Sequence, residues 1–172
     1  MATAMTLTAL EGQLANHSAL PLRATLGSTM LYHGLSKLKP EGLEQTSQFF
    51  DSIGIKPARF WVLATGWTEL AAGALTFLGI GTRVAAVSIL VTQAMAIAKV
   101  HARNGFDVQK GGYEFNLSLM AGALGLLLGG PGNLSVHHAV RPKPGRRWSL
   151  AGLLSPRRQT LRPAVRLALL LA

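Results

Sequence analysis

Three long stretches of this chain are almost without charge, and they constrain its fold more than any other feature. Phe60 to Thr82 runs for 23 residues with Glu69 as its one charge, and Val84 to Ala98 has none. Phe115 to Gly129, FNLSLMAGALGLLLG, lies inside an uncharged run that reaches Val140 and is broken by Gly130-Pro131-Gly132. About 20 apolar helical residues cross the hydrocarbon core of a bilayer, so these segments read as membrane helices. Ala19 to Leu38 reads as a further span, weakened by Pro21, Arg23, His33 and Lys37. Composition points the same way: 14% of the chain is charged, against about 25% in a soluble domain. The 172 residues leave room for about four crossings plus tails. The expected fold class is all-α, an integral membrane four-helix bundle with a short interfacial helix and a basic cytoplasmic tail.

Between the first two spans, Lys39 to Arg59 mixes charges with Leu43, Phe49, Phe50, Ile53 and Ile55, the pattern of a short amphipathic helix at the membrane interface. Residues 1–18 form a lead-in without the basic start of a secretory signal, 19–138 the membrane domain, and 139–172 a Pro/Arg-rich tail. The net charge of +10 belongs to that tail: residues 1–140 hold nine Lys/Arg against seven Asp/Glu, and residues 141–172 hold eight basic residues and no acid. Basic segments stay on the cytoplasmic side, which predicts a multi-pass protein of the bacterial plasma membrane with both termini cytoplasmic. The tail is expected to contact anionic membrane lipids. Nucleic acid is not an expected partner, since Trp148 is the tail's one aromatic residue. The chain has no cysteine, which excludes disulfides, zinc-thiolate sites, iron-sulfur clusters and thiol nucleophiles.

Ionisable side chains inside a span cost about 2.5 to 3.5 kcal/mol each, so they turn inward and mark candidate sites. Glu69 lies about 14 Å down its helix, near the midplane. It shares a face with Gly66 and Gly73. Arg23, His33 and Lys37 share a face of the first span, Gln93 and His101 lie on the third, and Glu114 opens the fourth. The expectation is an outward-opening polar pocket with His33, Lys37, His101 and Glu114 at its mouth and Glu69 at its floor. Glu69, His33, His101 and Glu114 are the candidate catalytic residues, and Lys37, Arg23 and Gln93 the candidate ligand-binding ones. The competing reading is structural, with Lys37 paired to Glu114 and His33 to Glu69 to fix helix register. Two histidines near the rim make poor axial haem ligands, and the His/Glu set lacks a local metal-ligand spacing, so no metal is assigned.

In order and spacing these residues resemble the DoxX family of small four-span bacterial membrane proteins. The pattern runs through Arg23, His33-Gly34 with Lys37, Glu69 with Gly73, Gly79 and Arg83, then His101, Gly105-Phe106, Gly112 with Glu114, and Gly130-Pro131-Gly132 with Ser135. Ser135 is followed by Val136 and His137, where the family usually has Ser-x-Asp. The resemblance covers about two thirds of the chain and implies a membrane subunit tied to sulfur and thiol redox, as in a thiosulfate:quinone oxidoreductase. It implies a quinone in the pocket, with His33 or His101 hydrogen-bonding a carbonyl and Glu69 or Glu114 handling protons. Without cysteine the chain needs a redox partner protein or a small-molecule donor. The rival functions are a small-solute or proton-coupled permease, working as a homo-oligomer, and a non-catalytic scaffold whose tail recruits a partner.

Overall fold

The computed structural model describes residues 17–140, so the basic tail and nearly all of the lead-in lie outside the described residues. Helix α1 spans Ala19–Leu38, α2 Pro40–Ser52, α3 Ala58–Leu78, α4 Thr82–Ala96, α5 Glu114–Gly129 and α6 Val136–Val140. Helix α4 runs on through a π-helical turn at Ile97–His101 and a 3-10 turn at Ala102–Asn104. Among the described residues there is no strand, and the chain is all-helical.

The breaks follow from local chemistry. Pro40 opens α2 while Lys39 before it is extended, as a residue preceding proline must be. At the end of α3, Gly79 takes φ +70°, which lets Ile80 N–H donate to Leu75 O at 2.9 Å and Gly79 N–H to Thr76 O at 3.1 Å. This is the left-handed closure that glycine adopts without a steric penalty.

Helix α1 packs antiparallel on α3, Gly27 facing Phe77 and Gly34 facing Leu70, and α4 packs on α5. The α1–α3 contact is very close. A methyl group added at Gly34 would lie 2.6 Å from Leu70 N, and one at Gly73 would lie 2.6 Å from Leu31 N. Only hydrogen fits at these positions, and the approach fixes which residues of the two helices face each other. Met30, Ile89 and Leu126, from α1, α4 and α5, are fully buried where the bundle closes.

The core mixes polar with apolar side chains, and large apolar side chains cover much of the outside. Arg23, Glu69, Gln93 and Asn116 are inside, while Leu128 is 73% exposed, Val84 69% and Trp67 61%. Such an apolar exterior suits lipid rather than water. By length and composition, one described helix, Thr82–Asn104 at 23 residues, is long and apolar enough to cross a membrane. Helix α5 is apolar but 16 residues long. Helices α1 and α3 have 20 and 21 residues, with ionisable groups within them. The helices expected from the sequence are therefore present, while hydropathy alone marks just one of them as a span.

Candidate functional site: a cavity with an ion pair on its wall

Lys37 lies in the last turn of α1, and the antiparallel contact sets it beside Gly66 of α3. Glu69, nearly one turn further along α3, then comes within reach. Lys37 Nζ donates to Glu69 Oε2 at 2.5 Å. The Glu69 side chain is only 9% exposed and that of Lys37 21%. A carboxylate so deeply placed needs its cation, because an unpaired buried charge is strongly destabilising.

Both side chains line a cavity of about 640 Å³ bounded by α2, α3 and the far end of α4. Phe49 and Phe50 of α2, Trp61 of α3 and Met95 of α4 give it apolar walls. Lys99 and His101 reach it from the π-helical turn. That geometry is rare and recurs at functional sites, because one extra residue in the turn re-aims the side chains beyond it. His101 Nδ1 lies 2.7 Å from Gly111 O, which also accepts from Asn104 Nδ2 at 3.0 Å. A carbonyl only accepts, so Nδ1 carries the proton in this contact, and in the neutral ring Nε2 remains as an acceptor.

Of the seven residues singled out in the sequence, three meet at this cavity: Lys37, Glu69 and His101. His33 is half-buried elsewhere, with its ring centroid 5.7 Å from that of Tyr32 and 6.3 Å from that of Phe115. Glu114 accepts from Val108 N–H at 3.2 Å and ties down the loop before α5. Gln93 sits in the bundle core, where its Oε1 accepts from Asn116 Nδ2 at 2.8 Å and its Nε2 lies 3.9 Å from Met30 Sδ. The pairing of Lys37 with Glu114 and His33 with Glu69 is not what forms. The close α1–α3 contact gives Lys37 to Glu69 instead.

Arg23 lies at the other end of α1. Its Nε donates to Thr76 O at 3.1 Å, Nη2 to Phe77 O at 2.8 Å, and Nη1 to Pro131 O at 3.0 Å and Leu134 O at 2.5 Å. The guanidinium thus satisfies carbonyls at the C-terminus of α3 and in the loop after α5, where the helix dipole also favours a cation.

Phe49, Phe50, Trp61, Met95 and Lys99 are among the cavity residues that the sequence did not mark as site residues. Phe49 and Phe50 were visible as the apolar side of an amphipathic helix, which here walls the cavity rather than simply floating at an interface. Among the described residues no group of three or more His, Cys, Asp or Glu side chains is arranged to hold a metal ion.

The DoxX family model matches residues 18–102, a segment that contains every residue lining the cavity. A Bacillus subtilis relative, named "Putative oxidoreductase CatD", is 37% identical over 111 residues, covering 64% of this chain and 78% of the relative. The chain belongs to the DoxX family. A Mycobacterium tuberculosis relative, named as the uncharacterized membrane protein Rv3486, is 31% identical over 154 residues, 81% of this chain and 83% of its own. No solved structure matches the chain. Together the family and this second relative make it a membrane protein. In this DoxX chain two groups of motif residues stand out. Arg23, Gly79 and Ser135 crowd together beside Pro131, while Lys37, Glu69 and His101 share the cavity.

Proposed function

We propose that this DoxX-family chain is the membrane subunit of a redox complex and that the cavity beside Lys37 and Glu69 binds a small redox-active ligand, a quinone head group being the one the family implies. One observation carries the reading: a nearly buried ion pair on the wall of a mostly apolar, aromatic-lined cavity of about 640 Å³. Ligand sites combine these features, a mostly apolar hollow of about 300 to 1,000 Å³ with a few polar groups. In this reading a flat ring lies against Phe50, Trp61 and Met95, which line the cavity with Lys37 and Glu69; Lys37 donates to a ring oxygen, and Glu69 takes up or releases a proton. His101 Nε2 accepts from a ring hydroxyl. A bound quinone supplies two-electron chemistry that no side chain here can perform. The chain has no cysteine, so electrons enter from a partner protein or a dissociable donor. The printed name of the Bacillus subtilis relative supports an oxidoreductase role.

The same proposal makes α1, α3, α4 with its extension, and α5 four crossings, with both ends of the 19–138 domain cytoplasmic and the 139–172 segment on anionic lipid. The apolar exterior supports it. The deciding experiment is mass spectrometry of the organic extract of protein purified from its native membrane. A quinone is expected to co-purify, and Glu69→Gln is expected to stay folded in the membrane while losing it. An extract with no ligand, and no spectral change when thiosulfate is added, overturns the redox reading.

A further inference from the structure

Charge around the cavity does not balance, and the remainder falls on one residue. Three ammonium groups line it: Lys37, Lys56 and Lys99. Lys37 is matched by Glu69 at 2.5 Å, and Lys56 by Asp51 at 3.6 Å. The Lys99 ammonium has no ion pair or hydrogen bond with any described residue, and the residue lies in the π-helical turn, two positions before His101. No acid other than Glu69 lines the cavity. The site thus offers apolar and aromatic walls and one uncompensated positive charge. Lys99 is exposed; a neutral ligand would leave that ammonium to water, whereas an anion in the cavity gives it a charge-assisted hydrogen bond.

We infer that the ligand of this cavity is an apolar organic monoanion, held by Lys99 with its body against Phe50, Trp61 and Met95. The inference rests on reading the cavity as a ligand site and adds the ligand's charge. A ring bearing an ionised hydroxyl satisfies both statements; a neutral quinone satisfies only the first. Lys99 is a specificity-determining residue, and the Lys37–Glu69 pair, already neutral in sum, remains available for hydrogen bonding to the rest of the ligand.

The test uses two quinones of nearly the same shape. 2-Hydroxy-1,4-naphthoquinone is ionised at neutral pH, and 2-methoxy-1,4-naphthoquinone is not; with no cysteine in the chain, neither is captured by a thiol. Binding of each to the purified full chain is followed by calorimetry in a nonionic detergent, which presents no competing phosphate. The anion is expected to bind about tenfold more tightly, the size of one charge-assisted hydrogen bond. Lys99→Gln removes the preference by weakening the hydroxy compound alone, and Lys99→Arg retains it. Equal affinity for the two probes overturns the anion assignment while leaving the cavity a quinone site. A preference that survives Lys99→Gln overturns the role of Lys99. Failure of both probes to bind the wild-type chain overturns the cavity reading and this inference together.

Discussion

The two inward cations of α1, Arg23 and Lys37, are surrounded in opposite ways. Four N–H groups of Arg23 are taken by backbone carbonyls of Thr76, Phe77, Pro131 and Leu134, and the residue is 3% exposed. Lys37 has one carboxylate and an open cavity beside it. Saturated with rigid backbone acceptors, Arg23 joins α1 to the end of α3 and to the loop after α5, and has nothing left for a ligand. Lys37 keeps two of its three N–H donors free beside that cavity. Two motif cations on the same helix therefore differ in kind: one is a fastener and the other belongs to a site.

That contrast breaks most visibly at Arg23. Arg23→Met strands the carbonyls of Phe77, Pro131 and Leu134, Thr76 O keeping its bond from Gly79 N–H, and each buried group left unpaired costs about 1 to 3 kcal/mol. The expected outcome is aggregated or unrecoverable protein in detergent size-exclusion, and a melting temperature within a degree or two of wild type would erase the distinction. The helix contact that delivers Lys37 to Glu69 comes next. Gly73→Ala places a methyl 2.6 Å from Leu31 N and should cost about 1 to 3 kcal/mol, the scale of overpacking. Gly122→Ala is the control, because its methyl would meet only Leu22 Cδ2, at 3.9 Å. Thermal unfolding of the two side by side measures the difference. Asn116→Leu removes the donor to Gln93 Oε1 inside the core and is expected to cost about 1 to 2 kcal/mol, with ligand binding unchanged because neither residue lines the cavity. Glu69→Gln should have the smallest effect on stability, about 1 kcal/mol, since it removes the more deeply buried of the two charges, the amide oxygen still accepts from Lys37, and the remaining ammonium is the more exposed partner at 21%. Its effect on ligand retention should be the largest of the four. A Glu69→Gln protein that unfolds while keeping its ligand would make Glu69 the fastener and reverse the comparison.

The helices were legible because their signal is local. The sequence places the first one at Ala19 to Leu38, the bounds that α1 has, despite the charges within it. The fourth was expected from Phe115 to Gly129, and α5 runs Glu114–Gly129. The site was half legible, for a geometric reason. A helical wheel says which residues share a face but neither which neighbour that face meets nor at what height. Gln93 and His101 lie on one side of a regular helix, yet the π-helical turn at Ile97–His101 adds a residue and rotates the side chains beyond it by about 100°. Gln93 therefore meets Met30 and Asn116 in the core, while His101 meets the cavity. Lys99 escaped notice because it closes an apolar run, where a lysine reads as a membrane-edge residue.

What the chain fixes on its own is the placement of its five longer helices and the set of groups that cannot be left bare: Arg23, Lys37, Glu69, Gln93. Uncharged length and the cost of desolvating a charge are enough for that. The tertiary structure decides who satisfies whom. Lys37 finds Glu69 rather than Glu114, and Arg23 finds carbonyls rather than a carboxylate, because Gly34 and Gly73 let α1 and α3 come within backbone contact at one particular register. An ion pair depends on a few ångströms between helices distant in sequence, and that distance is set by packing, which no periodicity within a single helix encodes.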